Sequence, residues 1–163
     1  MGLRFLKSFR YAFRGIIYCI NTERNMRIHT ATALYVFVFS FFFHLTRAEY
    51  AVLFLTFAQV IAAELFNTVA EELSDFNAAS FNPVVRIVKD MASGAVLINA
   101  VFAVAVGLCL FWRPAVFCGI LRYFLADPLL LALLLAATAA AVFYIALGPL
   151  GIRDHLRKRK NGK

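Results

Sequence analysis

Five polar residues on one apolar stretch, Glu64, Asn67, Thr68, Glu71 and Asp75 within AAELFNTVAEELSD (62–75), have the types and spacing to do chemistry. On a helix turning about 100° per residue, with Glu64 as zero, Asn67 falls at about −60°, Glu71 at about −20°, Asp75 at about +20° and Thr68 at about +40°, which makes one polar stripe. Acidic groups at membrane depth cost roughly 2.5–3.5 kcal/mol each on insertion scales, so carboxylates placed there are read first as functional. Glu23, ahead of the first apolar run, and Lys89 and Asp90, ahead of the third, add two acids and a cation near the same membrane face. Carboxylates with a lysine beside them suit a polyphosphate: Mg²⁺ takes one or two carboxylates plus phosphate oxygens, and lysine serves phosphate as a point charge. A further carboxylate can accept the proton of a hydroxyl nucleophile, with partial burial tuning its pKa upward. The plainer alternative is that these acids pair structurally with Arg27, Arg86 and Lys89.

The elements that must position this stripe belong to an all-α membrane protein. The 163 residues are 63% hydrophobic, well above the roughly one-half of a soluble domain. Residues 3 to 21 predict an amphipathic surface helix: Phe5, Leu6, Phe9, Phe13, Ile16, Ile17 and Ile20 share one side, and Arg4, Lys7, Tyr11 and Arg14 the other. Such a helix lies in the membrane interface. Spans are expected at about 28–45, 50–73 and 92–112, with a fourth at about 129–147. HLTRAE (44–49) suits a tight outer turn, and residues 74–89 read as a cytoplasmic loop in which Pro83 is tolerated in the first turns of a new helix. Arg113, Pro114, Arg122, Asp127 and Pro128 punctuate a second outer connection, and the fourth span is expected to end at Gly148, Pro149 and Gly151.

The net charge of +8 is concentrated at the two ends: six Lys or Arg precede Ile28, and six follow Gly151. By the positive-inside rule both termini are cytoplasmic, and four spans, an even count, place them on the same side. Anionic lipid headgroups, rather than nucleic acid, are the expected partner of these basic ends. Cys19, Cys109 and Cys118 have no C-x-x-C spacing and read as free thiols. Neither a G-x-x-x-x-G-K-[ST] nor a G-x-G-x-x-G motif is present, so a nucleotide would rely on metal and side chains.

Three blocks carry a resemblance that spacing alone does not supply. Glu23-Arg-Asn25-Met-Arg27-Ile-His29, Glu64-Leu-Phe-Asn67-Thr68-Val-Ala-Glu71-Glu-Leu-Ser-Asp75 and Lys89-Asp90-Met-Ala-Ser93-Gly94-Ala-Val resemble the signature blocks of the prokaryotic diacylglycerol kinase/undecaprenol kinase family. Phe81-Asn82-Pro83 is similar to the family's aromatic-His-Pro loop, with Asn82 in place of His. Val69-Ala70 stands where Ala-Ile is common. The likeness covers about residues 3–112, and a lipid kinase core of surface helix and three spans is expected over residues 1–112. Residues 113–163, the extra span and basic tail, have no counterpart in it.

The resemblance implies ATP-dependent phosphorylation of a membrane lipid alcohol in the bacterial cytoplasmic membrane, by a homotrimer with sites shared between chains. Undecaprenol is the expected acceptor and diacylglycerol the rival. It implies that Glu64 is the general base and that Asn67 lies near the γ-phosphate. Glu23 and Glu71 would hold Mg²⁺ on ATP, and Lys89 would contact phosphate. Arg4, Tyr11, Asp75 and Asp90 fall around the nucleotide, and Arg27 and Ser93 where the lipid lies. Other classes fit less well. A lipid phosphatase needs a His set that His29, His44 and His155 do not form, and a di-iron oxidase needs Glu-x-x-His pairs. A transporter or scaffold would carry polar groups along a whole path across the membrane.

Overall fold

A computed structural model describes the backbone of residues 2–77 and 83–161 and the side chains of residues 6–76 and 83–153. Six α-helices follow in order: α1 (Gly2–Thr22), α2 (Arg24–Ser40), α3 (Arg47–Asn77), α4 (Pro83–Phe111), α5 (Pro114–Ala126) and α6 (Pro128–Asn161), with a 3₁₀ turn at Phe41–Phe43. Four stretches are long and apolar enough to cross a membrane: Arg24–Phe43, Arg47–Phe76, Pro83–Phe111 and Pro128–Arg153. The surface helix and four spans anticipated from the pattern are all present. Phe81 and Asn82 lie outside the described residues.

The helix boundaries follow local chemistry. Glu23, with φ −97° and ψ 122°, is the extended residue that separates α1 from α2. His44 closes the Phe41–Phe43 turn in the left-handed region, φ 48°. Thr46 and Glu49 then make a reciprocal capping box. The Thr46 N–H donates to Glu49 Oε2 at 2.7 Å, and the Glu49 N–H to Thr46 Oγ1 at 3.3 Å, which satisfies two free donors at the start of α3. Pro114 and Pro128 each open a helix, where a missing N–H costs nothing. Asp127 Oδ1 accepts from the N–H groups of Leu129 and Leu130 at 2.8 and 3.4 Å and caps α6.

Three elements run longer than their apolar stretches suggest. α2 begins at Arg24, α3 begins at Arg47 and α4 at Pro83, because polar residues at helix ends remain helical once the span beyond them is packed. The connection after residue 112 is itself a helix, α5, rather than an irregular turn. The fourth span does not stop at Gly148: the chain bends there, with φ 68° and ψ 169°, and helix resumes through Pro149 into the basic tail.

α3 packs most extensively on α4, and α2 lies between α3 and α6. The buried apolar core sits at the Phe43 end, from Phe43, Leu45, Leu53 and Leu110. Phe43 meets Phe111 and Phe117 edge-on, with centroids 4.9 and 5.4 Å apart. Phe124 of α5 lies against Phe39 and Phe42, turning the chain so that α6 descends along α2. Arg113 donates to the Phe43 carbonyl at 2.8 Å and to Glu49 Oε1 at 3.2 Å, tying α4's end to the α2–α3 turn. Leu6, Phe9, Phe13 and Ile17 of α1 stay exposed, as a face laid on lipid requires.

Candidate functional site

The stripe on α3 grades from buried to exposed. Glu64 is fully buried, Asn67 and Thr68 nearly so, Glu71 half-buried and Asp75 exposed. Because α3 is unbroken from Arg47 to Asn77, the angular arrangement anticipated from the sequence holds in space. Both carboxyl oxygens of Glu64 are buried, and neither makes a well-formed hydrogen bond among the described residues. Asn25, on the first turn of α2, is the polar side chain that interacts with that carboxylate. A buried carboxylate left this open is costly unless a ligand or cation completes it.

α1 closes over the stripe and brings Glu23 to it. Cys19, 1% exposed, meets Thr68 with Sγ and Oγ1 3.0 Å apart. Tyr18 donates its hydroxyl to Glu72 Oε1 at 2.6 Å. Glu23 lies within electrostatic reach of Glu71 and Glu72, and Glu64 within reach of both Glu23 and Glu71. Burial, and after it the charge of Glu71, pushes the Glu23 carboxyl above its ordinary range, while Thr22 and Arg27 oppose the shift. Burial likewise pushes the Cys19 thiol up, against its contact with Thr68, and the charges of Glu64, Glu23 and Glu71 add to the effect. Such a thiol stays protonated and unreactive.

α4 supplies the third side. Asn67 Nδ2 donates to Glu71 Oε1 at 2.9 Å, and Ser93 donates to Asn67 Oδ1 at 3.4 Å, so one amide orients a carboxylate and a hydroxyl. Lys89 pairs with Asp75 across the α3–α4 opening. That pair is the one place where the plainer ion-pair reading of the stripe holds among the described residues. Arg27 does not pair with a carboxylate. Buried at 7% exposure, it donates to the carbonyls of Ile20, Asn21 and Ile145.

The structure thus brings Glu23, Glu64, Asn67, Glu71 and Ser93 together, with Lys89 and Asp75 at the rim. Tyr11 and Asp90 are exposed, and no hydrogen bond joins them to the cluster among the described residues. The side chain of Arg4 lies outside the described residues. Sequence reasoning placed Asn25 in the first block without a role, and missed Tyr18, Cys19 as the partner of Thr68, and Tyr144, whose hydroxyl is 3.0 Å from Thr30 Oγ1. For Cys19 a signal existed, since its position on α1 shares a face with the joint to Glu23; for Tyr144 none did.

Glu23 and Glu71 are donors of the hard, anionic kind that Mg²⁺ takes. Among the described residues no group of three or more His, Cys, Asp or Glu is placed to hold a metal by itself. Two carboxylates sharing an ion with phosphate oxygens fit that limit. Beside the cluster, a cleft of about 330 Å³ opens between α2, α3 and α4, lined by His29, Thr32, Phe57, Val60, Ile61 and Ala103. It is apolar and begins one turn of α3 from Glu64.

The prokaryotic diacylglycerol kinase profile matches residues 10–111, and the chain belongs to that family. It is 44% identical over 110 residues to a diacylglycerol kinase of Synechocystis, a match covering 67% of this chain and 63% of that protein. It is 37% identical over 108 residues to the undecaprenol kinase of Bacillus subtilis, covering 66% of this chain and 88% of that one. The matched segment therefore spans less than two thirds of the Synechocystis protein's length. No solved structure gives a significant match.

Proposed function

We propose that this protein is an ATP-dependent lipid kinase that phosphorylates the hydroxyl of a membrane lipid alcohol, with undecaprenol as acceptor and diacylglycerol as the rival. The observation that carries this reading is the fully buried carboxylate of Glu64, within reach of the charges of Glu23 and Glu71 and one turn of α3 from Ile61, which lines an apolar cleft. Glu64 takes the proton of the lipid hydroxyl. The hydroxyl oxygen bonds to the γ-phosphorus as the bond to the β-phosphate oxygen breaks and ADP leaves. Asn67, locked between Glu71 and Ser93, steers the transferring phosphoryl group. Glu23 and Glu71 hold Mg²⁺, which when bound neutralises charge on the phosphates. Lys89, aimed by Asp75, contacts phosphate. Arg4, Tyr11 and Asp90 belong to the nucleotide side, and Ser93 to the lipid side together with Arg27.

Shared sites in a homotrimer are supported by two features: α4 buries little of its surface within one chain, and Tyr11 and Asp90 stand off from their own chain's cluster. The basic ends support a bacterial cytoplasmic membrane location with both termini inside, against anionic headgroups. Purified protein in lipid discs, given MgATP with undecaprenol or diacylglycerol, tests the assignment. A higher kcat/KM for undecaprenol supports it, and a preference for diacylglycerol moves the protein to the rival. Transfer to neither by folded protein overturns the kinase reading.

A further inference from the structure

The segment after residue 112 lies beyond the family match, yet α6 reaches the site through Arg27. Pro149 has no N–H, so the Ile145 carbonyl, four residues earlier, loses its helical donor. Arg27 Nε–H takes that place at 3.0 Å. Its Nη1 donates at 3.1 Å to both Ile20 and Asn21, carbonyls of the last turn of α1. Carbonyls there have no helical partner, and a cation is favoured at that end. At Gly148 the backbone is left-handed, and a Cβ would stand 3.1 Å from Arg27 Nη1 and 3.4 Å from its Cδ. Glycine therefore supplies both the bend and the room for the guanidinium.

One buried side chain so joins the end of α1, the start of α2 and the bend of α6. Glu23 is the extended residue inside that joint, between Asn21 and Arg27. Two further contacts set the register that delivers Ile145 to Arg27: Thr30 with Tyr144 at 3.0 Å, and the Tyr35 hydroxyl donating to Thr138 at 3.1 Å. We propose that α6 is a positioning element of the site: its Gly148-Pro149 bend holds Arg27 across the α1–α2 joint, and Arg27 so held keeps Glu23 facing Glu64 and Glu71. The kinetic part of this inference rests on the lipid-kinase reading; the geometric part does not.

Pro149→Ala returns an N–H that competes for the Ile145 carbonyl, and Gly148→Ala sets a Cβ against Arg27. Each is expected to raise KM for MgATP about five- to tenfold, with kcat and the lipid KM changed less than about twofold. Added to Glu23→Gln, Pro149→Ala is expected to cost nothing more, since the group it positions is gone. A multiplicative loss, or an equal rise in both KM values, overturns the proposal. Should Pro149→Ala lower the melting temperature, Tyr144→Phe makes the same test, removing the Thr30 contact that sets the register of α6 while touching no group of the site. Cys19 reports the joint without any catalysis. In full-length Cys109→Ser/Cys118→Ser protein, N-ethylmaleimide labelling of Cys19 is expected to quicken about tenfold when Pro149→Ala or Arg27→Lys is added. Unchanged labelling overturns the proposal. Absence of phosphate transfer by the unmutated protein would instead defeat the lipid-kinase reading and leave the labelling result to decide the role of α6.

Discussion

The two ends of this bundle are built on opposite terms. At the Phe43 end the charges between the α2–α3 turn and the end of α4 satisfy one another: Glu49 is held by Thr46 and Arg113, and Arg113 also caps the Phe43 carbonyl. Aromatic rings fill the space around them. At the Glu23 end, three carboxylates face one another, and the most buried of them makes no well-formed hydrogen bond among the described residues. The first arrangement lowers the energy of the folded chain by itself, and the second does so only when something cationic or protic arrives. That contrast separates scaffold from site more sharply than burial does, since each end holds a buried side chain, Phe43 at one and Glu64 at the other.

Replacing Glu64 should break the contrast most severely. Glu64→Gln is expected to cut kcat about 10²–10⁴-fold, the usual worth of a general base, while MgATP affinity and melting temperature stay near their original values or the latter rises. Steady-state kinetics with calorimetric nucleotide binding check this; retained activity would remove Glu64 from the role of base. Glu71→Gln comes next, with MgATP affinity weakened roughly tenfold, about 1.4 kcal/mol, and kcat reduced less. Equal affinities in the two proteins would disprove a metal-holding Glu71.

The acid cluster also predicts a pH dependence. Glu23 holds its proton to higher pH than an ordinary carboxylate, and metal needs the ionised form. MgATP affinity should therefore fall as pH drops through a point above the usual carboxylate range, and Glu23→Gln should flatten the curve. Stability of the nucleotide-free protein runs the other way. With the folded pKa above the unfolded one, this group's contribution is present below the unfolded pKa and lost as pH rises through the folded one. Chains mixed in one assembly sharpen the picture further. Glu64→Gln with Asp90→Asn chains should regain part of the activity, and Glu23→Gln with Glu64→Gln chains should not, because Glu23 and Glu64 meet within one chain.

At the scaffold end the smallest effects are expected. Thr46→Ala should cost about 1 kcal/mol through the lost cap and leave both KM values unchanged, as thermal unfolding and kinetics would show. A kinetic defect there would erase the distinction between the two ends.

Much of this was legible in the residues. Helical periodicity alone aligned Glu64, Asn67, Glu71 and Asp75, because an unbroken helix carries its own angular order. The three signature blocks named the family, and hydropathy placed four spans. α5 escaped notice because Arg113, Pro114, Arg122 and Pro128, in and around it, read as punctuation, although proline at a first helical turn opens a helix as readily as it ends one.

What composition and spacing determined, then, is the inventory: an all-α membrane chain, a stripe of acids on α3, and basic ends. Only tertiary structure decided which acid has no partner, which amide orients Glu71, and where Arg27 goes. Its side chain answers a carbonyl 118 positions away, freed by a proline in a helix outside the family's match. Periodicity reports the neighbours a residue has along its own helix. It carries no information about a contact made by docking one helix on another, and the α1–α2 joint that holds Glu23 is such a contact.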